Sequence, residues 1–177
     1  MELFDESIDI PEGVQVEVSG TSVTVKGPKG ELVKEFRFPN VSYKVDGNKI
    51  VAQSSKATKR EKALIFTFKA HLNNMLKGVQ EPHTYTLKIC SGHFPMNVVV
   101  SGKELVVKNF LGEKIPRKLK LKEGADVKVN DQEITVTGIN IEIAGQVAAD
   151  IEQLCRITNR DIRIFQDGIY IIKKSKD

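Results

Sequence analysis

The sequence predicts an α+β protein of two tandem homologous domains, each a small antiparallel or mixed β-sheet packed on one α-helix. Apolar residues make up 40% of the 177 residues, aromatic residues only 6%, and Trp is absent. A core built largely from Val, Ile and Leu favours strands. Several short stretches alternate apolar and polar residues, whereas two longer stretches repeat apolar residues at helical spacing. In addition, the second half of the chain repeats the first.

The internal repeat is visible in the order of residues. Residues 14–20 read Val-Gln-Val-Glu-Val-Ser-Gly, and residues 96–102 read Met-Asn-Val-Val-Val-Ser-Gly. The other matching pairs are residues 21–26 with 103–108 and residues 43–51 with 127–135. Two copies indicate a duplicated domain and not a solenoid. The predicted domains are residues 1–80 and residues 81–177, the second extended by a C-terminal tail.

Alternation in the first copy predicts short strands joined by turns. Gly-Pro-Lys-Gly at residues 27–30 is typical of a turn, because Gly permits positive φ and Pro fixes its own φ. Asp-Gly-Asn at residues 46–48 is typical of a tight hairpin turn. The predicted strands are residues 14–19, 22–26, 32–36, 43–45 and 49–53. Corresponding turns in the second copy are expected at residues 101–103, 111–113 and 130–131.

Each copy ends in a helical pattern. The first helix is predicted from about Lys59 to Lys77, with Gly78 ending it in the left-handed conformation. The apolar stripe of this helix is Leu64, Phe68, Leu72, Met75 and Leu76. A linker at residues 79–84, marked by Pro82, then leads to the second copy.

The second helix is predicted from about Ile141 to Arg156. Asn140 is the expected N-cap, and Glu142 in the first turn suits the helix dipole. The residues expected to face inward are Val147, Ile151, Leu154 and Cys155. Packing against a sheet explains both apolar stripes without a cofactor.

The net charge of +4 conceals local clusters. Basic residues outnumber acidic ones in residues 53–77, 103–122 and 156–176, whereas acidic residues gather in residues 1–17. Segregated charge indicates a polyanion partner, although any single basic run is equally typical of a solvated face. Three such clusters in one small chain favour nucleic acid.

The tail of the second copy has no counterpart in the first. Asp167 and Gly168 predict a turn, and a short strand is expected at residues 169–172. The side chains expected close together before this turn are Arg160, Arg163, Phe165 and Gln166. A basic surface with one aromatic ring and one amide suits phosphates, sugar hydroxyls and a stacked base.

Other classes of protein fit the sequence poorly. No apolar stretch approaches the ~18 residues of a membrane-spanning helix, and two cysteines without an export signal favour the cytoplasm. No phosphate-binding loop of the Gly-x-x-x-x-Gly-Lys-Ser/Thr type is present. Cys90 and His93 are half of a metal site that nothing nearby completes. We therefore expect no catalytic site, no metal, no cofactor and no small-molecule substrate.

Five motifs in order resemble the large-ribosomal-subunit protein L6 family over nearly the whole chain. They are Val-Lys-Gly-Pro-Lys-Gly-Glu-Leu at residues 25–32, Asn-Met-Leu-Lys-Gly-Val at 74–79, Asn-Phe-Leu-Gly-Glu-Lys at 109–114, Gly-Gln-Val-Ala-Ala-Asp-Ile-Glu at 145–152 and Phe-Gln-Asp-Gly-Ile-Tyr at 165–170. Bacterial members are expected to have a Lys/Gly-rich stretch at the last position, so the chain resembles the archaeal and eukaryotic branch, and its short length favours the archaeal type.

The resemblance implies two α+β domains, direct binding of large-subunit ribosomal RNA, and neighbouring ribosomal proteins as further partners. It also implies a position near the stalk base and the factor-binding region, and no catalytic activity. The residues expected to face RNA, all in the second domain, are His93, Lys108, Lys114, Arg117, Lys118, Arg160, Arg163, Phe165, Gln166 and Gly168. Lys56, Lys59 and Arg60 are weaker candidates for a second contact.

Simpler interpretations stay open at this point. His93 is also compatible with a loop residue that packs on the next strand, and Phe165 with a core residue. The alternative function is a duplicated α+β binding module for another protein or polyanion, which the same basic clusters would serve.

Overall fold

The computed structural model describes residues 4–55 and 58–175. The chain divides into two compact units, Met1–Pro82 and His83–Asp177. The described residues contain two α-helices and four small antiparallel sheets, so the predicted α+β class is confirmed. Each unit has one helix and two sheets in place of the single sheet that the pattern suggested, because alternation identifies strands but not their partners.

The first unit contains six strands and then one long helix. They are β1 (Phe4–Asp9), β2 (Gln15–Ser19), β3 (Ser22–Gly27), β4 (Gly30–Glu35), β5 (Val41–Asp46), β6 (Lys49–Ser54) and α1 (Lys59–Gln80). One sheet has the strand order β1-β6-β5 and the other β2-β3-β4. Alternation buries Val23, Val25 and Ile50 completely. The sequence analysis missed β1, because acidic residues make up half of its six residues.

The end of α1 corrects two predictions. Gly78 is not a left-handed cap, because the helix continues to Gln80 and the amide of Glu81 bonds to the Lys77 carbonyl at 2.7 Å. The linker is accordingly much shorter than residues 79–84, since only Glu81 and Pro82 separate the helix from the next strand.

Tertiary packing explains why α1 continues past its glycine. The turn between β3 and β4 lies against the last helical turn, where the Lys29 amide bonds to the Val79 carbonyl at 3.0 Å. A Cβ atom on Gly27 would lie only 2.7 Å from a methyl carbon of Val79, so this approach requires glycine. The buried stripe is also rotated slightly, since Ile65 is fully buried and Leu64 only partly.

The second unit repeats this plan and adds one strand. It consists of β7 (His83–Cys90), β8 (Asn97–Ser101), β9 (Glu104–Lys108), a 3-10 turn (Phe110–Gly112), β10 (Arg117–Lys120), β11 (Ala125–Asn130), β12 (Glu133–Gly138), α2 (Ile141–Leu154) and β13 (Gly168–Lys173). Its sheets have the orders β10-β9-β8 and β11-β12-β7-β13. Asn140 caps α2 as predicted, accepting the Glu142 amide at 2.9 Å. Helix α2 ends at Leu154, two residues before the predicted end.

Equivalent hydrogen bonds show that the two units are copies. The Ile10 amide bonds to the Asn48 carbonyl at 2.9 Å, and the Ile89 amide bonds to the Gln132 carbonyl at 2.8 Å. Strands β5-β6-β1 therefore correspond to β11-β12-β7. In the second unit β13 pairs with the outer edge of β7, whereas no strand of residues 4–55 and 58–175 pairs with the equivalent edge of β1.

Candidate nucleic-acid interface

A buried carboxylate joins the tail of the second unit to the loop at residues 91–95. Asp167 is only 2% exposed. One carboxylate oxygen accepts the amides of Gly92 and His93 at 2.6 and 2.9 Å, and the other accepts the His93 Nδ1–H at 2.5 Å. Burial by itself raises the pKa of Asp167, but these hydrogen bonds outweigh burial and hold the pKa below its ordinary value. Asp167 is therefore an ionised anchor.

Three of the predicted RNA-facing residues meet beside this anchor. The rings of His93 and Phe165 are stacked, with centroids 4.8 Å apart and planes 21° apart. The guanidinium carbon of Arg160 lies 4.7 Å from the Phe165 centroid. Because Asp167 occupies Nδ1, the histidine nitrogen left for a ligand is Nε2. His93 keeps 36% of its side chain exposed, so the stack is open to solvent.

Asp161 shapes the turn that carries the other predicted tail residues. Its carboxylate accepts the Arg163 amide at 2.9 Å and the Arg163 guanidinium at 2.8 and 3.1 Å. These bonds, the side-chain bond first, lower the pKa of Asp161. The Gln166 side-chain amide donates to the Arg163 carbonyl at 3.4 Å. Arg163 is largely exposed, and its guanidinium forms an ion pair with Asp161 inside the tail.

Gly168 supports the tail without reaching its surface. It is buried, and a Cβ atom there would lie 3.0 Å from the hydroxyl oxygen of Tyr170. That hydroxyl donates to the carbonyls of Gln166 and Asp167, each 3.3 Å away. The glycine thus lets the tyrosine ring fold back on the preceding turn. Its predicted place among the RNA-facing residues stays a prediction, and its burial favours an indirect role.

An open cavity of about 690 Å³ lies between the tail and the loop at residues 91–95. His93, Phe165 and Gln166 line it together with the exposed side chains of Ile162 and Ile164. An aromatic stack, an amide and an apolar rim are the groups that hold an unstacked base in single-stranded RNA recognition.

The turn at residues 109–113 is tied to the same loop. The Asn109 side chain donates to the Pro95 carbonyl at 3.0 Å. Gly112 lies under the Phe94 ring, which a Cβ atom would meet at 3.5 Å. Asn109 and Leu111 both have positive φ, of 60° and 47°, and Leu rarely adopts this conformation. Residues 91–95 therefore connect this turn to the tail.

The contacts of Arg117 indicate a structural role beside its predicted role as a phosphate ligand, which stays a prediction. Its guanidinium donates to both carboxylate oxygens of Glu113 at 2.6 and 2.9 Å and to the Leu154 carbonyl at 2.7 Å. It also lies 4.3 Å from the centroid of the buried Phe110 ring. The bond to Leu154 satisfies a terminal carbonyl of α2. Arg117 thus fastens β10 to the end of the helix.

We expect Arg117→Ala to lower the free energy of unfolding by about 2 kcal/mol, because it removes a charged pair and leaves the Leu154 carbonyl without its donor. Denaturant unfolding followed by circular dichroism measures this change. The folded variant should bind RNA within about twofold of the wild-type affinity, whereas a tenfold loss at full folding would support the predicted contact of Arg117 with RNA.

The remaining three predicted residues, all lysines, are exposed. Lys108, Lys114 and Lys118 lie at the end of β9, after the turn at residues 109–113, and on β10. Among the described residues, no hydrogen bond, ion pair or ring contact joins them to the tail. Lys59 and Arg60 are exposed at the start of α1, and Lys56 lies outside the described residues.

Sequence reasoning missed Asp167 as the anchor of the site. Its position before Gly168 explained it fully as a turn residue, so nothing required a second role. The signal that was present is the Ser-Gly-His order at residues 91–93, which supplies two loop amides and an imidazole to a carboxylate. A distance of 75 residues along the chain hides this relation.

Within the described ranges, no three His, Cys, Asp or Glu residues are placed to hold a metal ion. Neither described helix is long and apolar enough to cross a membrane. Burial raises the pKa of the Cys155 thiol to about 11, which disfavours the nucleophilic thiolate.

Comparison with known proteins decides the family. The family described as Ribosomal protein L6 matches residues 10–82 and 94–168, one segment in each unit. The chain belongs to the ribosomal protein L6 family. Large ribosomal subunit protein uL6 of Methanococcus vannielii is 46% identical over 98% of this chain and 95% of its own length. The protein of the same name from Methanobrevibacter smithii is 47% identical over 96% and 95%, and that from Haloarcula marismortui is 42% identical over 94% of each.

These relatives are archaeal, so the resemblance to the archaeal-type branch of the L6 family is confirmed. The family is structural and non-enzymatic, and the chain has a structural role in the ribosome. The expectation that it is no enzyme is thereby confirmed.

Proposed function

We propose that the chain is a constituent of the large ribosomal subunit that binds large-subunit ribosomal RNA through the second unit, near the stalk base and the factor-binding region. The observation that supports RNA binding is the Arg160–Phe165–His93 stack, held open beside a cavity by the buried Asp167. Neighbouring ribosomal proteins are further partners. The position near the stalk base comes from the family resemblance.

Two kinds of contact, to phosphates and to an unstacked base, contribute to binding. Arg160, Arg163 and the exposed lysines after residue 107 displace counterions from phosphates, which provides affinity that falls with salt. The stack and the cavity accept an unstacked base, and His93 Nε2 and Gln166 reach its edge or a 2′-hydroxyl. Shape and single-stranded elements of the RNA, and not a base-pair code, then set specificity.

The rigid anchor explains how such a small surface holds one geometry. Asp167 fixes the ring of His93 through Nδ1, and the ring in turn lies on Phe165. Because these groups are ordered before RNA arrives, less conformational entropy is lost on binding. The site is therefore a pre-formed scaffold and not a flexible basic tail.

We expect the double variant Arg160→Ala, Arg163→Ala to weaken binding to large-subunit RNA about tenfold. It should also reduce the slope of log K against log salt by about two, since each duplex phosphate contact contributes about 0.9. Filter binding of the full chain to transcribed large-subunit RNA at rising salt measures both quantities.

The matched control is Lys59→Ala, Arg60→Ala, which removes the same charge from exposed positions of the first unit. Equal losses in the two double variants would contradict the placement of the site in the second unit. Absence of salt-sensitive affinity for this RNA in the wild-type chain would favour a module that binds protein.

A further inference from the structure

The outer edge of β1 carries backbone groups that no described strand uses. Because the Ile10 amide bonds to Asn48 across the β1–β6 ladder, and inward bonds alternate along an antiparallel strand, Ile8 and Glu6 also face β6. The amides and carbonyls of Asp5, Ser7 and Asp9 therefore point away from the sheet. All three residues are exposed.

The second unit shows that this edge accommodates a strand. Ile89 occupies the place of Ile10, so the outward groups of β7 belong to Thr86, Lys88 and Cys90. Strand β13 pairs antiparallel with these residues, placing Tyr170 opposite Lys88 and Gly168 opposite Cys90. The equivalent position beside β1 has the same backbone geometry and no strand of residues 4–55 and 58–175 in it.

The helix of the first unit leaves an apolar side chain uncovered along this edge. The Phe66 ring contacts the Phe4 ring of β1 with centroids 6.0 Å apart, and Lys69 pairs with Glu6, so this flank of α1 lies over β1. Phe66 is nevertheless 52% exposed. In the second unit, by contrast, Ile169 of β13 lies on the helix side of the sheet and is only 1% exposed.

Charge distinguishes the two edges. The outward positions of β1 are Asp5, Ser7 and Asp9, whereas β7 has Lys88 among the corresponding positions. Asp9 pairs only weakly with Lys49, since both side chains are mostly exposed at 3.2 Å. A strand added to β1 would place its own side chains directly opposite these acids, where opposite charges stabilise the pair and like charges destabilise it.

We propose that the outer edge of β1 receives an extended segment of a neighbouring protein, in which basic and apolar residues alternate, as an added antiparallel strand. The basic residues lie opposite Asp5 and Asp9, and the apolar residues lie on the other face beside Phe4 and Phe66. Backbone hydrogen bonds give affinity, and alternate side chains give specificity, as in other strand additions. This surface is separate from the RNA-binding surface proposed for the second unit.

The same acids disfavour two other occupants. RNA would place phosphates against Asp5 and Asp9. A second copy of this chain, pairing β1 with β1, would place acids of one strand close to acids of the other. Charged residues at a sheet edge also serve simply to prevent pairing with other strands. Binding of a basic extended peptide to this edge distinguishes a docking role from such a protective role.

The first experiment uses the full chain and a synthetic seven-residue peptide of alternating lysine and valine. We expect peptide binding to slow hydrogen exchange at the outward amides of Asp5, Ser7 and Asp9 by at least fivefold, as followed by NMR. Asp5→Lys, Asp9→Lys should weaken the peptide at least tenfold. Asp46→Lys, on the opposite edge strand of the same sheet, is the charge-matched control for the single variant Asp9→Lys and should retain binding. A peptide of alternating glutamate and valine should not bind.

The second experiment uses large subunits assembled with a chain that carries a photo-crosslinking amino acid at Ser7. The expected product joins Ser7 to a protein segment with alternating basic and apolar residues. A crosslink to RNA, a crosslink to a segment without this pattern, or no crosslink at all would overturn the proposal. So would unchanged exchange at the three amides with the lysine-valine peptide. None of these outcomes depends on Arg160 or Arg163, so RNA binding is tested separately.

Discussion

Asp167→Ala is expected to separate the tail from the loop at residues 91–95 and to reduce RNA affinity at least tenfold. The substitution removes the acceptor of three hydrogen bonds, one of them from an imidazole, in a side chain that is 2% exposed. Hydrogen bonds to charged groups contribute about 1.5–3 kcal/mol each, and they are not additive, so we expect the free energy of unfolding to fall by about 3 kcal/mol. Without the anchor, His93 is free to leave Phe165.

Two variants make this prediction specific. Asp161→Ala removes an aspartate from the same tail but one that bonds mainly to the exposed Arg163, so it should affect RNA affinity much less. Asp167→Asn retains an oxygen acceptor for the two amides and loses the charge, so its effect should be intermediate. Thermal unfolding and RNA filter binding measure both effects. Wild-type affinity and stability in Asp167→Ala would refute the role of Asp167 as anchor.

The sequence predicted those features of the fold that depend on local pattern. Alternation identified strands such as β3 and β6 because one face of each packs on a core, and Asn140 was recognisable because an N-cap needs only its own helix. Strand β1 and the continuation of α1 through Gly78 were not predictable in this way. The first is held by its partner strand and the second by the turn around Lys29, both distant along the chain.

The candidate site shows the same difference between features set by local sequence and features set by long-range contacts. Arg160, Phe165 and His93 were predicted from residue type and resemblance, and the structure brings them together. Their arrangement depends on Asp167, which is related to them only through long-range hydrogen bonds. Arg117 shows a second limit, because a basic residue in a basic run has the same sequence signal whether it faces a phosphate or, as the structure shows, bonds to a helix end.

Acid is expected to release the same anchor in the unmodified protein. The folded pKa of Asp167 lies below its ordinary value, and so do those of Glu113, through Arg117, and Asp161, through Arg163. A group with a depressed folded pKa contributes stability that is complete above its unfolded pKa, about 3.9 for Asp, and is lost as the pH falls through the folded value. The second unit should therefore keep the stability contributed by these carboxylates down to about pH 4 and lose that contribution progressively below.

The amides of Gly92 and His93 report this event directly, because each donates to the Asp167 carboxylate. Their NMR shifts should move together on acidification with one midpoint below 3.9, the unfolded value for Asp. The Ile89 amide, bonded to the Gln132 carbonyl, is the internal control and should not titrate with them. A midpoint at or above the unfolded value would mean that burial outweighs the hydrogen bonds. The Asp167 carboxylate would then be destabilised by its burial, and replacement of Asp167 by Asn should stabilise the unit instead of weakening it.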